Sequence, residues 1–111
     1  MHELALTQTI VETVAAHAQG RRVRRVTLEV GGLACVMPSA LRFCFEAAAL
    51  GTALEGASLD IIQLEAQARC RVCGDTFVQR AFWEPCRCGA HDFTRISGEE
   101  LRVKQYEVDA S

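Results

Sequence analysis

The chain has 111 residues, about half of them apolar, and a formal net charge of −2 at pH 7. This length fits one domain, or one domain with a small appendage. Because the chain lacks a positive excess, the charge argues against electrostatic binding to nucleic acid or to an anionic membrane. The uncharged run Gly31 to Leu41 is too short to span a bilayer. The N-terminal residues lack the pattern of a secretory signal, so we expect a cytoplasmic protein.

The order of the predicted elements is typical of an α+β fold. Apolar residues at helical spacing predict a first helix over Glu3 to Ala18, and alternation of polar and apolar residues predicts a strand over Arg25 to Val30. A second helix is predicted over Ser39 to Leu50, with a proline in its first turn. Two further strands are predicted at about Ala57 to Ala68 and about Glu100 to Val108.

The segment between the last two predicted strands differs from the rest, because it is rich in cysteine and poor in aliphatic residues. It cannot close a hydrophobic core by itself. We therefore predict two helices packed on a small three-stranded sheet, in the order αβαβ-insert-β, with an inserted subdomain that resembles a zinc ribbon. The predicted body comprises residues 1–69 and 97–111, and the predicted insert comprises residues 70–96.

Four cysteines of the insert have the spacing of a zinc site. The pair Cys70 and Cys73 is separated by two residues, and the pair Cys86 and Cys88 by one. Four thiolates can hold Zn²⁺ in a tetrahedron, and a glycine after each pair suits a tight turn around the metal. Because the second pair is more closely spaced, His91 is a reserve ligand in place of Cys86.

The alternatives to a zinc site are four buried thiols or a redox dithiol. A redox pair normally stands alone at the start of a helix, whereas this pair is accompanied by a second one and lacks a helical pattern. A catalytic zinc keeps one position open for water, and four protein thiolates leave none. The pattern therefore favours structural Zn(II). Cys44 lies on an apolar helical face and is expected to be a core thiol, and Cys35 has no assigned role.

The first residues of the sequence, Met1-His2-Glu3, have a chemistry of their own. Met1 is expected to be retained, because the enzyme that removes it prefers a small second residue. The α-amine of Met1, the following amide nitrogen and the His2 imidazole could then chelate one metal ion. Strongly donating nitrogen ligands in a plane suit Ni²⁺ or Cu²⁺.

These features together resemble the HypA/HybF family of nickel-incorporation proteins. The similarity covers Met1-His2-Glu3-Leu4, the strand Val26 to Val30, Pro38-Ser39-Ala40-Leu41-Arg42-Phe43, Gly51-Thr52 to Leu59, the four-cysteine insert, and Gly98-Glu99-Glu100-Leu101-Arg102-Val103. It extends over nearly the whole chain and preserves the order of the elements. One departure lies in the second cysteine pair, where the family usually has Cys-Pro-x-Cys and this chain has Pro85-Cys86-Arg87-Cys88.

The resemblance implies a metallochaperone that is not an enzyme. It implies transient Ni(II) binding by Met1, His2 and Glu3, with the glutamate supporting the site, and structural Zn(II) binding by Cys70, Cys73 and Cys88. The departure in the second pair leaves either Cys86 or His91 as the fourth zinc ligand, and Cys86 is preferred. The implied partners are a HypB-type GTPase, the precursor of the [NiFe]-hydrogenase large subunit and, in some bacteria, urease accessory proteins.

Two alternatives to the nickel carrier remain at the level of the sequence. One is a zinc-ribbon adaptor that binds protein or nucleic acid, for which clustered arginines and aromatics on the insert would be evidence. The other is a small redox enzyme that uses Cys70 and Cys73. A cluster of four arginines at positions 21, 22, 24 and 25 is either a solvated strand entrance or a docking patch for an acidic partner.

Overall fold

The computed structural model describes residues 2–109, which form two helices and six strands. In chain order these are α1 (His2–Ala18), β1 (Val23–Gly31), α2 (Pro38–Ala49), β2 (Ser58–Leu64), β3 (Ala66–Cys70), β4 (Thr76–Gln79), β5 (Phe93–Ser97) and β6 (Leu101–Val108). One three-stranded sheet has the order β2-β1-β6, and a second has the order β4-β3-β5. The predicted α+β class is confirmed. Within residues 2–109, no helix is both long enough and apolar enough to cross a membrane.

The described residues fall into two compact units. The first contains residues 2–28, 36–61 and 103–109. Helices α1 and α2 pack against each other in this unit. Its core is made of aliphatic side chains and one phenylalanine, and includes Val11, Val14, Val23, Val26, Leu28, Leu41, Phe45, Leu54 and Leu59.

The buried face of α1 contains a polar residue that the apolar periodicity does not predict. Thr7 is fully buried, and its hydroxyl donates to the carbonyls of Glu3 and Leu4, each at 2.9 Å. A buried hydroxyl costs free energy unless it is hydrogen-bonded, and these contacts satisfy it within the first turns of α1. The first turns of α1, which begins at His2, are therefore packed through a hydrogen-bonded threonine.

The second unit contains residues 29–35 and 62–102. Its central strand β3 pairs antiparallel with β4 and with β5. The core cluster consists of Ala68, Cys70, Phe77 and Cys86, against which Ala90 and Phe93 pack. Half of the buried members of this cluster are cysteines. This cluster by itself buries little apolar area. The other buried apolar side chains of the unit are Val30, Leu33 and Ala66.

The second predicted strand and the insert require corrections. The continuous strand over residues 57–68 is wrong, because the chain leaves the strand conformation at Glu65. Residues before this point belong to β2 of the first sheet, and residues after it belong to β3 of the second. The sequence also did not predict β4 and β5. Each is only four or five residues long, which is too short to establish a periodicity.

Two glycines allow a close backbone crossing within the second unit. Gly31 donates to the Glu100 carbonyl at 2.7 Å, and Leu33 donates to the Gly98 carbonyl at 2.6 Å. Gly98 has a φ of +119°, and a Cβ added there would overlap the side chain of Ala66. Its N–H donates to the Glu100 carboxylate at 2.7 Å. Only glycine satisfies both the positive φ and the close approach at position 98.

We expect Gly98→Ala to reduce the free energy of unfolding by about 2–4 kcal/mol, because it combines an unfavourable φ with overpacking against Ala66. Gly20 is a matched control, since it also has a positive φ, +82°, but no atom lies within 4 Å of an added Cβ. Gly20→Ala should cost only about 1–2 kcal/mol. Denaturant unfolding of both variants at equal metal content measures the difference. Equal losses would show that the crossing adds no constraint.

Candidate functional site

The four cysteines of the insert converge in the second unit. Cys70 ends β3 and Cys73 lies in the turn that follows, while Cys86 and Cys88 lie in the segment before β5. Their Sγ atoms all lie within 4.8 Å of one another. The Sγ atoms of Cys70 and Cys88 are 3.7 Å apart, and those of Cys73 and Cys86 are 3.6 Å apart. Two segments that are distant in sequence thus form one sulfur cluster.

The local backbone around the first pair is shaped to surround a sulfur atom. The N–H groups of Val72 and Cys73 both point at Cys70 Sγ, each at 3.4 Å. Gly74 closes the turn by donating to the Cys70 carbonyl at 3.0 Å, and has a φ of +82°. N–H groups that face a sulfur stabilise its thiolate form, which is the form that binds a metal.

The second pair lies in a similar turn. Gly89 has a φ of +91° and donates to the Cys86 carbonyl at 2.8 Å, while the Cys86 N–H donates to the Ala90 carbonyl at 3.0 Å. Cys86 is buried and Cys88 is exposed, as Cys70 is buried and Cys73 exposed in the first pair. Both pairs therefore present one inner and one outer thiol to the cluster.

The pKa values of the thiols reflect their mutual contact. The N–H of Cys73 is the main cause that lowers the pKa of Cys70 to about 7. At Cys73 the N–H of Asp75 acts to lower the pKa, but hydrogen bonding with the Cys86 thiol and partial burial outweigh it and raise the value to about 12. Neighbouring thiols cannot all ionise without a positive charge among them. The cluster is therefore electrostatically suited to a cation.

The spacing of the sulfurs fits a tetrahedral zinc ion. A Zn–S distance of about 2.3 Å in a regular tetrahedron corresponds to sulfurs about 3.8 Å apart. Two of the Sγ separations, 3.7 Å for Cys70 and Cys88 and 3.6 Å for Cys73 and Cys86, are near this value. His91 is exposed and is not among the residues whose ligand atoms form the group. The donor set that the structure brings together is thus four sulfurs.

The second candidate site is the beginning of α1, in the first unit. His2 is the first residue of this helix, and its side chain is 59% exposed. The neighbouring Glu3 side chain is only 13% exposed, and its Oε2 lies 3.6 Å from His2 Nε2. The predicted Met1 amine lies outside the described residues. The arrangement presents an accessible imidazole beside a carboxylate that is held by the protein.

The Glu3 carboxylate is fixed by backbone groups. Its pKa lies below the ordinary value, mainly because the Glu3 N–H donates to it; partial burial opposes this, while the charge of His2 and the N–H of Met37 lower the pKa further. Met37 immediately precedes α2, and its own side chain is exposed. No sequence pattern indicates this contact, because Glu3 and Met37 belong to different elements that only helix packing brings together.

The arginine cluster after α1 is largely used within the first unit. Arg22 donates to the Glu55 carbonyl, Arg24 pairs with Glu107 at 2.9 Å, and Arg25 pairs with Asp60 at 3.3 Å. Arg21 has no ion pair among the residues that the structure describes. Since three of the four guanidinium groups have internal partners, the structure favours a solvated strand entrance over a docking patch.

The remaining cysteines and His17 are not members of the four-sulfur group. Cys44 is only half-buried on α2, so it is less enclosed than the expected core thiol. Cys35 is exposed with a φ of +60°, and its Sγ lies 3.5 Å from the Leu33 carbonyl oxygen. His17 is exposed near the end of α1, with Nδ1 2.5 Å from the Tyr106 hydroxyl.

Comparison of the sequence with protein families and with individual relatives gives a consistent result. The family described as "Hydrogenase/urease nickel incorporation, metallochaperone, hypA" matches residues 1–108. A "Hydrogenase maturation factor HypA" from Geobacter metallireducens is 48% identical over 110 residues, covering 98% of this chain and 100% of the relative. A protein of the same name from Nostoc punctiforme is 44% identical over 109 residues, covering 98% of this chain and 96% of the relative.

Solved structures show the same fold at lower sequence identity. The solution structure of the Ni metallochaperone HypA from Helicobacter pylori aligns with a TM-score of 0.68 and 20% identity, covering 98% of each chain. A second solution structure of a HypA protein aligns with a TM-score of 0.66 and 22% identity, covering 97% of this chain and 93% of the other. The whole-chain match in sequence and the shared α+β fold show that this chain belongs to the HypA family of hydrogenase maturation factors and nickel metallochaperones.

Proposed function

We propose that this protein carries Ni(II) as its cargo and delivers it during maturation of [NiFe]-hydrogenase, with urease as a possible second destination. The observation that carries the proposal is the start of α1, where an exposed His2 stands next to a Glu3 held by backbone N–H groups. A carrier needs an accessible site that can release its ion. An imidazole that is 59% exposed meets that requirement.

The proposed nickel ligands are the Met1 amine, the backbone amide nitrogen of His2 and the His2 imidazole. Planar nitrogen coordination of this kind suits Ni²⁺. Glu3 supports the site, since its carboxylate is close to the imidazole and is itself anchored by the Met37 N–H. Groups that orient a ligand in this way commonly change metal affinity about 10–100-fold when they are removed.

The proposed resident metal is a structural Zn(II) held by Cys70, Cys73, Cys86 and Cys88. The fit of the sulfur spacing supports zinc. The membership of the buried Cys86 in the four-sulfur group supports Cys86 over His91 as the fourth ligand. Four protein thiolates leave no open position for water, so the ion would stabilise the fold without performing chemistry. We accordingly propose that the protein is not an enzyme.

The proposed partners follow from membership of the family. They are a HypB-type GTPase, the hydrogenase large-subunit precursor and urease accessory proteins, all in the cytoplasm. No nucleic acid partner is proposed, because the chain has no positive excess. A redox role for Cys70 and Cys73 is disfavoured, since both thiols take part in a four-sulfur group rather than standing alone.

The first prediction separates the nickel site from the zinc site. His2→Ala should abolish high-affinity nickel binding, and Glu3→Gln should weaken it about 10–100-fold, because the first change removes a ligand and the second removes its support. His17→Ala is the matched control, since His17 is an exposed histidine at the other end of the same helix. Nickel titration by calorimetry measures all three variants, and zinc content should stay at one ion per chain. Equal loss of affinity in His17→Ala would count against a site at the helix start.

A second prediction tests the amine. One residue added before Met1 displaces the α-amine from the chelate ring, so nickel affinity should fall as far as in His2→Ala. In the unmodified chain, affinity should also decrease as the pH is lowered below neutrality, because the amine, the amide and the imidazole must lose protons to bind. Calorimetry over a pH series measures both effects. Wild-type affinity in the extended chain would rule out the chelate, even if nickel still bound elsewhere.

The third prediction concerns the sulfur cluster. Cys73→Ser should reduce zinc below one ion per chain and expose the segment between Cys70 and His91 to proteolysis, because metal binding there supplies folding free energy. Cys44→Ser is the control, since this thiol lies on α2 outside the cluster. Metal analysis and limited proteolysis with mass spectrometry give the readout. Full zinc content and full protection in Cys73→Ser would refute the assignment.

A further inference from the structure

A loop of the second unit presents a large aromatic side chain to solvent. This loop, Arg80–Pro85, connects β4 to the second cysteine pair. At its centre is Trp83, the single tryptophan of the chain, with 76% of its surface exposed. A tryptophan that served only to pack the insert would be buried. Tryptophan is also the side chain that most often anchors protein interfaces, together with tyrosine and arginine.

The loop is held by one arginine. The Arg95 guanidinium donates to Gln79 Oε1 and to the Phe82 carbonyl, each at 3.1 Å, and lies 4.9 Å from the centre of the Phe82 ring. Its Nη1 also pairs with Glu99 at 3.2 Å. Hydrogen bonds and the cation–π contact together tie the backbone just before Trp83 to strands β4 and β5.

Two further bonds close the loop on itself. Gln79 Nε2 donates to the Glu84 carbonyl at 3.0 Å, and the Glu84 carboxylate accepts the Arg80 N–H at 2.7 Å. A loop that is already ordered loses little conformational entropy when a partner binds. The exposure of Trp83 is therefore a property of a fixed loop.

A groove lies next to this loop and has a mixed lining. Its apolar part includes Phe77, Val78 and Pro85, and Arg80 and Arg87 also line it. Among residues 2–109, neither of these two arginines forms an ion pair, whereas the exposed Arg71 pairs with Asp92 at 2.6 Å. The carboxylate of Glu84, which also lines the groove, is already occupied by the Arg80 N–H. This hydrogen bond to a neutral N–H leaves the negative charge of Glu84 in place, so two arginines and one glutamate give the groove a net charge of +1 beside its apolar lining.

The charge of the unit distinguishes between two kinds of partner. Residues 29–35 and 62–102 contain six arginines and seven carboxylates. A surface for nucleic acid would need a positive excess to match a run of phosphates, and this unit has none. Two local arginines beside an apolar groove and an exposed indole instead complement a short acidic segment with apolar side chains.

We propose that Trp83, together with the groove lined by Arg80 and Arg87, docks an acidic segment of a partner protein that also carries apolar side chains. The surface is built from the second unit alone and uses none of the proposed nickel ligands. A result that contradicts this docking surface would therefore leave the proposed nickel site untouched, and a result that contradicts the nickel site would leave this surface untouched.

The fluorescence of Trp83 gives a direct test on the full-length, zinc-loaded protein, because the chain has no other tryptophan. The probe is a short synthetic peptide with leucines at its centre and glutamates on both sides. We expect its titration to shift the Trp83 emission to shorter wavelength with saturation, and binding to weaken as the salt concentration rises. A peptide with lysine in place of each glutamate should bind at least about tenfold more weakly.

Variants identify the residues responsible, with binding followed by the anisotropy of a dye-labelled peptide. Trp83→Ala, and Arg80→Gln combined with Arg87→Gln, should each weaken binding about tenfold or more. Arg71→Gln is the matched control and should leave the affinity within about twofold, because that arginine is already paired. The proposal is overturned by absence of saturable binding, by equal binding of the lysine peptide, or by tighter binding of single-stranded oligothymidylate.

Discussion

The second unit depends on the requirement that four sulfur atoms share a space less than 5 Å across. Its buried core is small, and two of the four residues at its centre, Cys70 and Cys86, are also members of the sulfur group. Without a cation, four close thiols oppose one another's ionisation, as the raised pKa of Cys73 shows. With one, the same closeness becomes a source of stability. The same cysteines therefore pack the core cluster of this unit and provide ligand atoms for a metal.

The two candidate sites differ in burial and in ligand type, as expected for a site that retains its metal and a site that releases it. At the four-sulfur site Cys70 and Cys86 are buried, and two backbone N–H groups face Cys70 Sγ. At the start of α1 the His2 imidazole is exposed and lies next to the mostly buried Glu3 side chain. Soft thiolates suit tight retention of zinc, whereas a few nitrogen ligands at an accessible helix end suit binding that a drop in pH or a partner can reverse. The proposed assignment of one site to structural zinc and of the other to nickel transport rests on this difference.

Arginines that look alike in the sequence differ in the contacts that the fold gives them. In the first unit Arg24 and Arg25 are paired with carboxylates across neighbouring strands, and so contribute little to recognition. In the second unit, Arg95 holds a loop, and within residues 2–109 neither Arg80 nor Arg87 forms an ion pair. Surface charge indicates a binding region only where the fold leaves it uncompensated. That criterion selects the Trp83 loop over the longer run of arginines after α1.

The sequence by itself determined the features that are encoded over short distances. Helical spacing predicted α1 and α2, alternation predicted β1, and the spacing of the cysteines predicted a four-sulfur group. Residue identity also singled out His2 as a metal-binding candidate. The tertiary structure alone decided the break at Glu65, the short strands β4 and β5, the N–H that Met37 donates to Glu3, and the exposure of Trp83. These depend on contacts between residues that are far apart in the chain, and a local pattern carries no information about which distant group will satisfy a charge, a hydrogen bond or a buried surface.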